Sequence, residues 1–198
     1  MEFKQVVRQR RMVRNFSDEP VDRGVIERIA AIAQRAPSAG FSQGQRLVVV
    51  TDADKRRRLG AIVGDEFYEE AGFGRWVGKA PVQFVPCVSE KVYRDRYAEP
   101  DKVAADGSVI DWPIPYWWMD IGCTVENLLL AAVDEGLAAG FAGAEDPDDL
   151  RSELGIPAHF APVGVIPVGH RLPDKRSPSL KRGWVPSGEF LRWEVWET

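Results

Sequence analysis

Cysteine is almost absent from this chain. Cys87 and Cys123 are the only two among 198 residues and form no CxxC pair, which excludes a disulfide framework and argues for a reducing setting. Histidine is as scarce: neither His159 nor His170 has a second ligand at metal spacing, so no metal centre is expected. There is no Ser–His–Asp arrangement, no phosphate-cradling P-loop and no GxGxxG,. The longest apolar stretch, around residues 121–144, is broken by Glu126, Asp134 and Glu135, so no membrane span is expected. The opening MEFKQVVRQRR is too polar for a secretory leader,. A net charge of −4 gives no bulk attraction to nucleic acid,. The residues present, 44% hydrophobic and 28% charged, suit one globular domain with a real core. The expectation is a soluble, cytoplasmic protein.

Periodicity orders the chain. Phe3, Val6 and Val7 predict a first amphipathic helix running toward Arg10 or beyond,. NFSDEP is a break. In VDRGVIERIAAIAQRAPS, the face Val25, Ile29, Ile32 and Ala33 predicts a helix with Asp22 as N-cap and Pro37 closing it,. APSAGFSQGQ reads as loop, and RLVVVTD as a buried strand. Leu59, Ile62, Val63 and Phe67 predict one helix through DADKRRRLGAIVGDEFYEEAGF, its DKRRR start an unpaired solvated face. APVQFVPCVS is a second strand, with Pro86 demanding an edge or a bulge. Residues 90–115 are the least regular, with Pro113 and Pro115 forcing an extended path. MDIGCTVENLLLAAVDEGL predicts a buried central helix that encloses Cys123. AAGFAGA is strand-like with close backbone approach at its glycines, DPDDLRSELG a short capped helix, APVGVIPVGH a strand, and EFLRWEVWE alternates like a terminal strand,. The order implies an α+β or α/β layout around one sheet.

The charge is unevenly spread. RQRRMVRNF, residues 8–16, holds four arginines, and no acid lies between Glu2 and Asp18. Such a cluster is either a solvated helix end or an anion site, where guanidinium forks match phosphate oxygens. Lys181 and Arg182 form a second cationic group in the tail.

The segments downstream of the arginines separate these two possibilities. RRMVRNF, an amphipathic helix, RAPSAGFSQGQ, a Val-rich strand, then DIGCTVENLLLAAVDEGLAAGFAGA, LGIPAHFAPVGVIPVGH and SLKRGWVPSGEF stand in order along most of the chain. The series resembles the nitroreductase-like family of FMN-dependent oxidoreductases. The resemblance implies an α+β fold: a three-layer α-β-α sandwich, a central mostly antiparallel sheet and a long buried helix at a homodimer interface. It implies a single domain over 1–198; residues 90–118, which the resemblance does not explain, are read as a lid or insertion, and 171–198 as a C-terminal extension. It also implies an NAD(P)H-driven ping-pong reduction of nitroaromatic, quinone or enone acceptors. A flavin-sequestering protein without turnover, or a pathway-specific flavin dehydrogenase or reductase, are the alternatives.

Carried over residue by residue, the resemblance has Arg10 and Arg11 hold the FMN phosphate with Lys181 and Arg182. Arg14 reaches the N1/O2 edge of the ring, where a cation favours the anionic reduced state. Pro37, Ser38, Ala39 and Gln43 approach from the partner subunit, and Ala142, Gly143 and Ala144 pass beside the ring. The family's middle region carries a polar contact to the pyrimidine edge, for which Arg75 and Lys79 are the nearest candidates. Three departures stand out: Met12 in place of a serine beside the phosphate or ribityl chain, Phe41 in place of an asparagine, and Gly44 in place of a proline. The flavin itself carries the chemistry, so no protein acid or base is assigned at the ring.

Phe41, Trp112, Tyr116 and Trp117 are candidates to wall the acceptor pocket, against packing of the interface or central helix. Tyr93, Arg94, Arg96 and Tyr97 belong to a substrate lid or to a plain surface loop. Asp120 and Glu126, acids on the central helix, need partners; arginines across the dimer are the expected ones.

Overall fold

The structure is a computed structural model and describes residues 1–196. Two helices, α1 (Phe3–Gln9) and α2 (Arg23–Ala33), precede an extended arginine segment and a loop. Strand β1 (Gln45–Val50) leads to α3 (Ala53–Ile62), α4 (Asp65–Glu70) and α5 (Trp76–Lys79), then to β2 (Val82–Val88) and α6 (Glu90–Tyr97). The long helix α7 (Tyr116–Asp134) precedes β3 (Ala138–Ala139), α8 (Pro147–Leu154), β4 (Ala161–Pro162), β5 (Ile166–Gly169) and a last turn, α9 (Ser187–Phe190). The sheet runs β1-β2-β5-β3, with β4 also on β2, and every ladder is antiparallel.

The three layers arise from β2. All seven of its residues are buried, and their alternation feeds two cores. Val82 and Phe84 face α2 and α7 with Ile29, Leu128, Ala132 and Val168. Val85 and Cys87 face the other way, toward Leu59, Trp76, Val77 and Leu150 of α3, α5 and α8. Fully burying each such aliphatic side chain contributes about 2 kcal/mol.

Pro86 sits in this central strand rather than at an edge. Its carbonyl accepts from Val163 N–H at 2.9 Å, so its ring nitrogen points the same way, into the interruption between β4 and β5 where no ladder bond is lost. β1 is an edge strand, and only Val50 in it is buried; a β-branched run marked a strand there but not a buried one.

Other differences have equally local causes. The expected single helix over 52–73 breaks at Gly64, which takes φ 82° and leaves Phe67 exposed. Its basic start is paired after all: Arg57 with Asp54, and Arg58 with Glu153 at 2.7 Å. On α2 the buried face is Ile26, Ile29 and Ala33, with Ile32 exposed. Residues 90–97 are helical, capped by Ser89, whose hydroxyl accepts from Val92 N–H. Helix α7 starts three residues early, directly after Pro115, because proline is barred from a helix interior but not from its first turn. α7 is not buried all round: Trp118, Met119, Gly122 and Cys123 form an exposed strip. The EFLRWEVWE stretch forms no strand over its described residues, and residues 197–198 lie outside the description. Asp22, Asp146 and Gly155 cap as expected.

Candidate functional site

The arginine segment leaves α1 at Arg10, where the backbone turns extended, and runs beside the end of β3. Met12 bridges Ala139, and Val13 N–H donates to Ala139 O at 3.0 Å. Val13 and Phe16 are buried in the core that holds Trp76, while Met12 packs against the other core, with Ala139 and Ile166. The tail then lies along the same segment. Leu172 N–H donates to Asn15 O, and Asn15 Nδ2 to Pro173 O at 2.8 Å.

The arginines have different partners. Arg11 forks onto Asp174, with bonds of 3.0 and 2.6 Å, and Arg14 N–H donates to the same carboxylate at 3.0 Å. The Asp174 side chain is 3% exposed. Burial pushes its pKa up, but the Arg11 guanidinium and the Arg14 N–H outweigh this and hold it below the usual carboxylate value,. Arg11 is thus held by a protein acid within its own chain. Arg10 has a looser contact: its Nε lies 3.4 Å from Glu126 Oε1 and makes no hydrogen bond. Arg14 has no acid partner among the described residues. Its guanidinium lies over Phe73 at 5.3 Å and Trp76 at 5.8 Å, an arrangement that fixes a cation without neutralising it. Lys175 approaches the Phe73 ring at 5.0 Å and donates to Ala71 O. Arg75 instead pairs with Glu69 and Glu66.

Asp174 carries a direct consequence. Its depressed pKa means the contribution to stability is present above the unfolded value near pH 4 and is lost as pH falls through the lower folded value. D174N is expected to destabilise the chain by about 1–3 kcal/mol at pH 7, since Arg11 is partly solvated once released. It should also flatten the acid limb of the urea midpoint measured against pH.

Lys181 and Arg182 lie exposed on a 3₁₀ turn over Pro178–Arg182. Nothing described joins them to Arg10 or Arg11; Asp174 is the tail residue that meets the arginines. On the other side of Met12 and Val13, Ala139 leads on to Ala142, which is buried and pairs with Val165. Gly143 beyond it is exposed, and open space surrounds its Cβ position. Ala144 packs on the core. Backbone contact is closest at Gly140, where a Cβ would stand 2.6 Å from Val13 O and 2.5 Å from Trp76.

The 37–44 loop lies against α6 and α7. Pro37 and Gln43 are exposed, Ser38 Oγ accepts from Gln43 N–H at 2.9 Å, and Ala39 N–H donates to Asp120 at 2.9 Å. Phe41 is 77% exposed and borders an open cleft of about 1000 Å³ with Gln34, Gln43, Arg46, Leu47 and Thr124. The aromatic candidates gather elsewhere, in one cluster with Tyr93 and Tyr97. Within it Trp117 is buried, Trp112 half-buried and Tyr116 at the surface. The partners of the two central-helix acids are intramolecular, Tyr93 and Ala39 for Asp120 and Arg10 for Glu126. Cys123 is exposed, and the buried Cys87 thiol is pushed up to about 12 by burial.

A family model described as the nitroreductase family matches residues 7–170. The chain belongs to the nitroreductase family. Among relatives of this nitroreductase-family chain, an FMN reductase [NAD(P)H] of Bacillus subtilis is 28% identical over 188 residues, covering 87% of this chain and 66% of the relative. An iodotyrosine deiodinase of Nematostella vectensis is 28% identical over 193 residues, covering 91% and 71%. The crystal structure of a nitroreductase family protein from Streptococcus pneumoniae superposes with a TM-score of 0.75 at 22% identity, covering 98% of this chain and all of that one. No helix among the described residues is long and apolar enough to cross a membrane.

Proposed function

We propose that this nitroreductase-family chain is an FMN-dependent oxidoreductase that takes electrons from NAD(P)H and delivers them to a small electrophile. Nitroaromatics, quinones and enones are the acceptor classes. The observation that carries the reading is Arg14: a cation held on two aromatic rings with no acid partner, on a segment that also presents Arg10 with an unbonded Nε. A cation without a counter-charge beside an arginine whose only acid contact is a loose one to Glu126 fits a ligand bearing a dianionic phosphate and an electron-accepting ring,. Arg10 would hold the phosphate, joined by Lys181 and Arg182 once the tail folds toward it; Arg11 supports by tying Asp174 to the segment. Met12 offers no hydroxyl, so the arginines carry more of the binding. Gly143 leaves backbone open to a flat ligand, flanked by Ala142 and Ala144. When bound, FMN supplies hydride acceptance and release; the chain binds it, orients it and keeps positive charge beside it.

A homodimer completes the site in this reading, with Pro37, Ser38, Ala39 and Gln43 serving the neighbouring subunit. The exposed strip Trp118, Met119, Gly122 and Cys123 supports an interface on α7. A large side chain there should separate the subunits: G122R is expected to sediment as a monomer and to lose flavin together with the dimer. A dimeric G122R with full flavin would remove α7 from the interface.

The reading is tested by titrating the purified chain with FMN and monitoring flavin fluorescence. Saturation at one FMN per chain is expected. An unsaturable, non-stoichiometric signal would leave the arginines as a charged surface.

A further inference from the structure

The loop from Ser38 to Gly44 adopts a backbone that few sequences accept. Phe41 and Gln43 both lie in the left-handed region, at φ 55° and 53°, and Gly40 between the same turns at 59°. Side-chain-bearing residues stay there only where the surroundings over-determine them. The loop's own bonds close its turns, from Phe41 N–H to Ser38 O, Ser42 Oγ to Ala39 O and Gln43 N–H to Ser38 Oγ. They do not attach it to the fold.

Arg46 of β1 donates to Gln43 O at 2.8 Å; the remaining attachment comes from residues 89–120. One oxygen of Asp120, Oδ2, accepts both Ala39 N–H at 2.9 Å and the Tyr93 hydroxyl at 2.8 Å. Tyr93 is fully buried and Asp120 nearly so. Arg96 Nε donates to Gly40 O at 3.1 Å, and Ser89 N–H to Gly44 O. The two tyrosines of α6 also dictate the loop's two glycines. A Cβ at Gly44 would stand 2.4 Å from the Tyr93 ring, and one at Gly40 2.5 Å from the Tyr97 ring. Gly44, where a proline is usual in the resemblance, is therefore the residue that Tyr93 requires.

We infer that Tyr93 and Asp120 are positioning residues that lock the 38–44 loop through one shared carboxylate oxygen and so set where Phe41, Ser38 and Gln43 face the site. This rests on the reading that the loop borders a flavin and its acceptor. The lock deepens that reading. An exposed phenyl ring at the rim of the open cleft, on a backbone that cannot relax, selects flat aromatic acceptors by stacking. Helix α6 is then the frame of the loop rather than a cover over the substrate.

Two measurements test this on the purified full chain. D120A removes the acceptor from both donors, whereas D120N keeps an oxygen for Ala39 N–H; Y93F keeps the ring against Gly44 and removes only the hydroxyl. In amide hydrogen exchange, D120A is expected to speed exchange over residues 39–44 at least tenfold while 124–133 in α7 stay protected, with D120N close to the parent. With FMN bound, Y93F and D120A should raise the KM of a soluble quinone about fivefold or more, a larger factor than the fall in kcat per bound flavin. Unchanged exchange over 39–44 in D120A, or exchange rising equally along α7, would overturn the lock. So would a fall in kcat alone at constant KM. Should the parent chain bind no FMN, the flavin reading fails, and the exchange measurement alone decides whether the lock exists.

Discussion

R14A is expected to fold normally and to lose most of its flavin. Two effects compete in this substitution. The lost cation–π contacts with Phe73 and Trp76 cost about 0.5–1 kcal/mol of stability. The lost charge-assisted contact to a bound anion costs about 1.5–3 kcal/mol of binding, which is about 10- to 150-fold in Kd. Binding should therefore fall far more than stability. Thermal unfolding of the apo chain and an FMN titration separate the two. R11A gives the opposite balance, because Arg11 is engaged with Asp174: a loss of stability with a smaller change in Kd. Equal and small effects from both would return RQRRMVRNF to a solvated helix end.

The second large effect is expected at Gly140. Its Cβ position is blocked on one side by the Val13 carbonyl and on the other by the buried Trp76 ring. Neither neighbour is the free end of a flexible side chain, so G140A must push the arginine segment off the sheet. Overpacking of this kind costs about 1–3 kcal/mol. In a chain of this length that lowers Tm by about 3–10 °C. Because Arg10 and Arg14 hang from the displaced segment, flavin affinity should fall as well. G143A is the matched control: open space surrounds that position, so stability should hold, and any loss of flavin there reports the ligand's own approach. If G140A melts like the parent, the close contact between residues 13 and 140 does not exist in solution.

Much of the fold was legible because its signals are local. The short apolar run of β2, the caps Asp22 and Asp146 and the stop at Gly155 depend on a few neighbouring residues. The features that were missed depend on distant ones. Pro86 reads as an edge residue until β4 and β5 are seen to part opposite it. Gly64 reads as tolerated in a helix until its positive φ splits α3 from α4. The loop-like composition of 90–97 hid a helix whose tyrosines are fixed by contacts with residues 40 and 44.

The candidate site divides the same way. The arginine cluster was visible as a run of one charge, but charge patterning cannot say which guanidinium is already paired. Asp174 lies 160 residues from Arg14, and no motif joins them. Asp120 was recognisable as an acid in need of a partner, and the partner is the Tyr93 hydroxyl and a loop amide rather than an arginine. Trp117 drew attention as a substrate wall, whereas its side chain is almost fully within the core; aromatic density alone does not separate a pocket from packing.

The central claim is that Arg14, with Arg10 beside it, holds a working redox flavin in this nitroreductase-family chain. The most direct test is the visible spectrum of the FMN-reconstituted chain under anaerobic conditions, before and after addition of NADPH and then NADH. The account predicts a bound oxidised-flavin spectrum that bleaches on addition of nicotinamide and returns when a quinone is added. A bound flavin that neither nicotinamide reduces, while dithionite does, would contradict it and make the chain a flavin-binding protein without turnover.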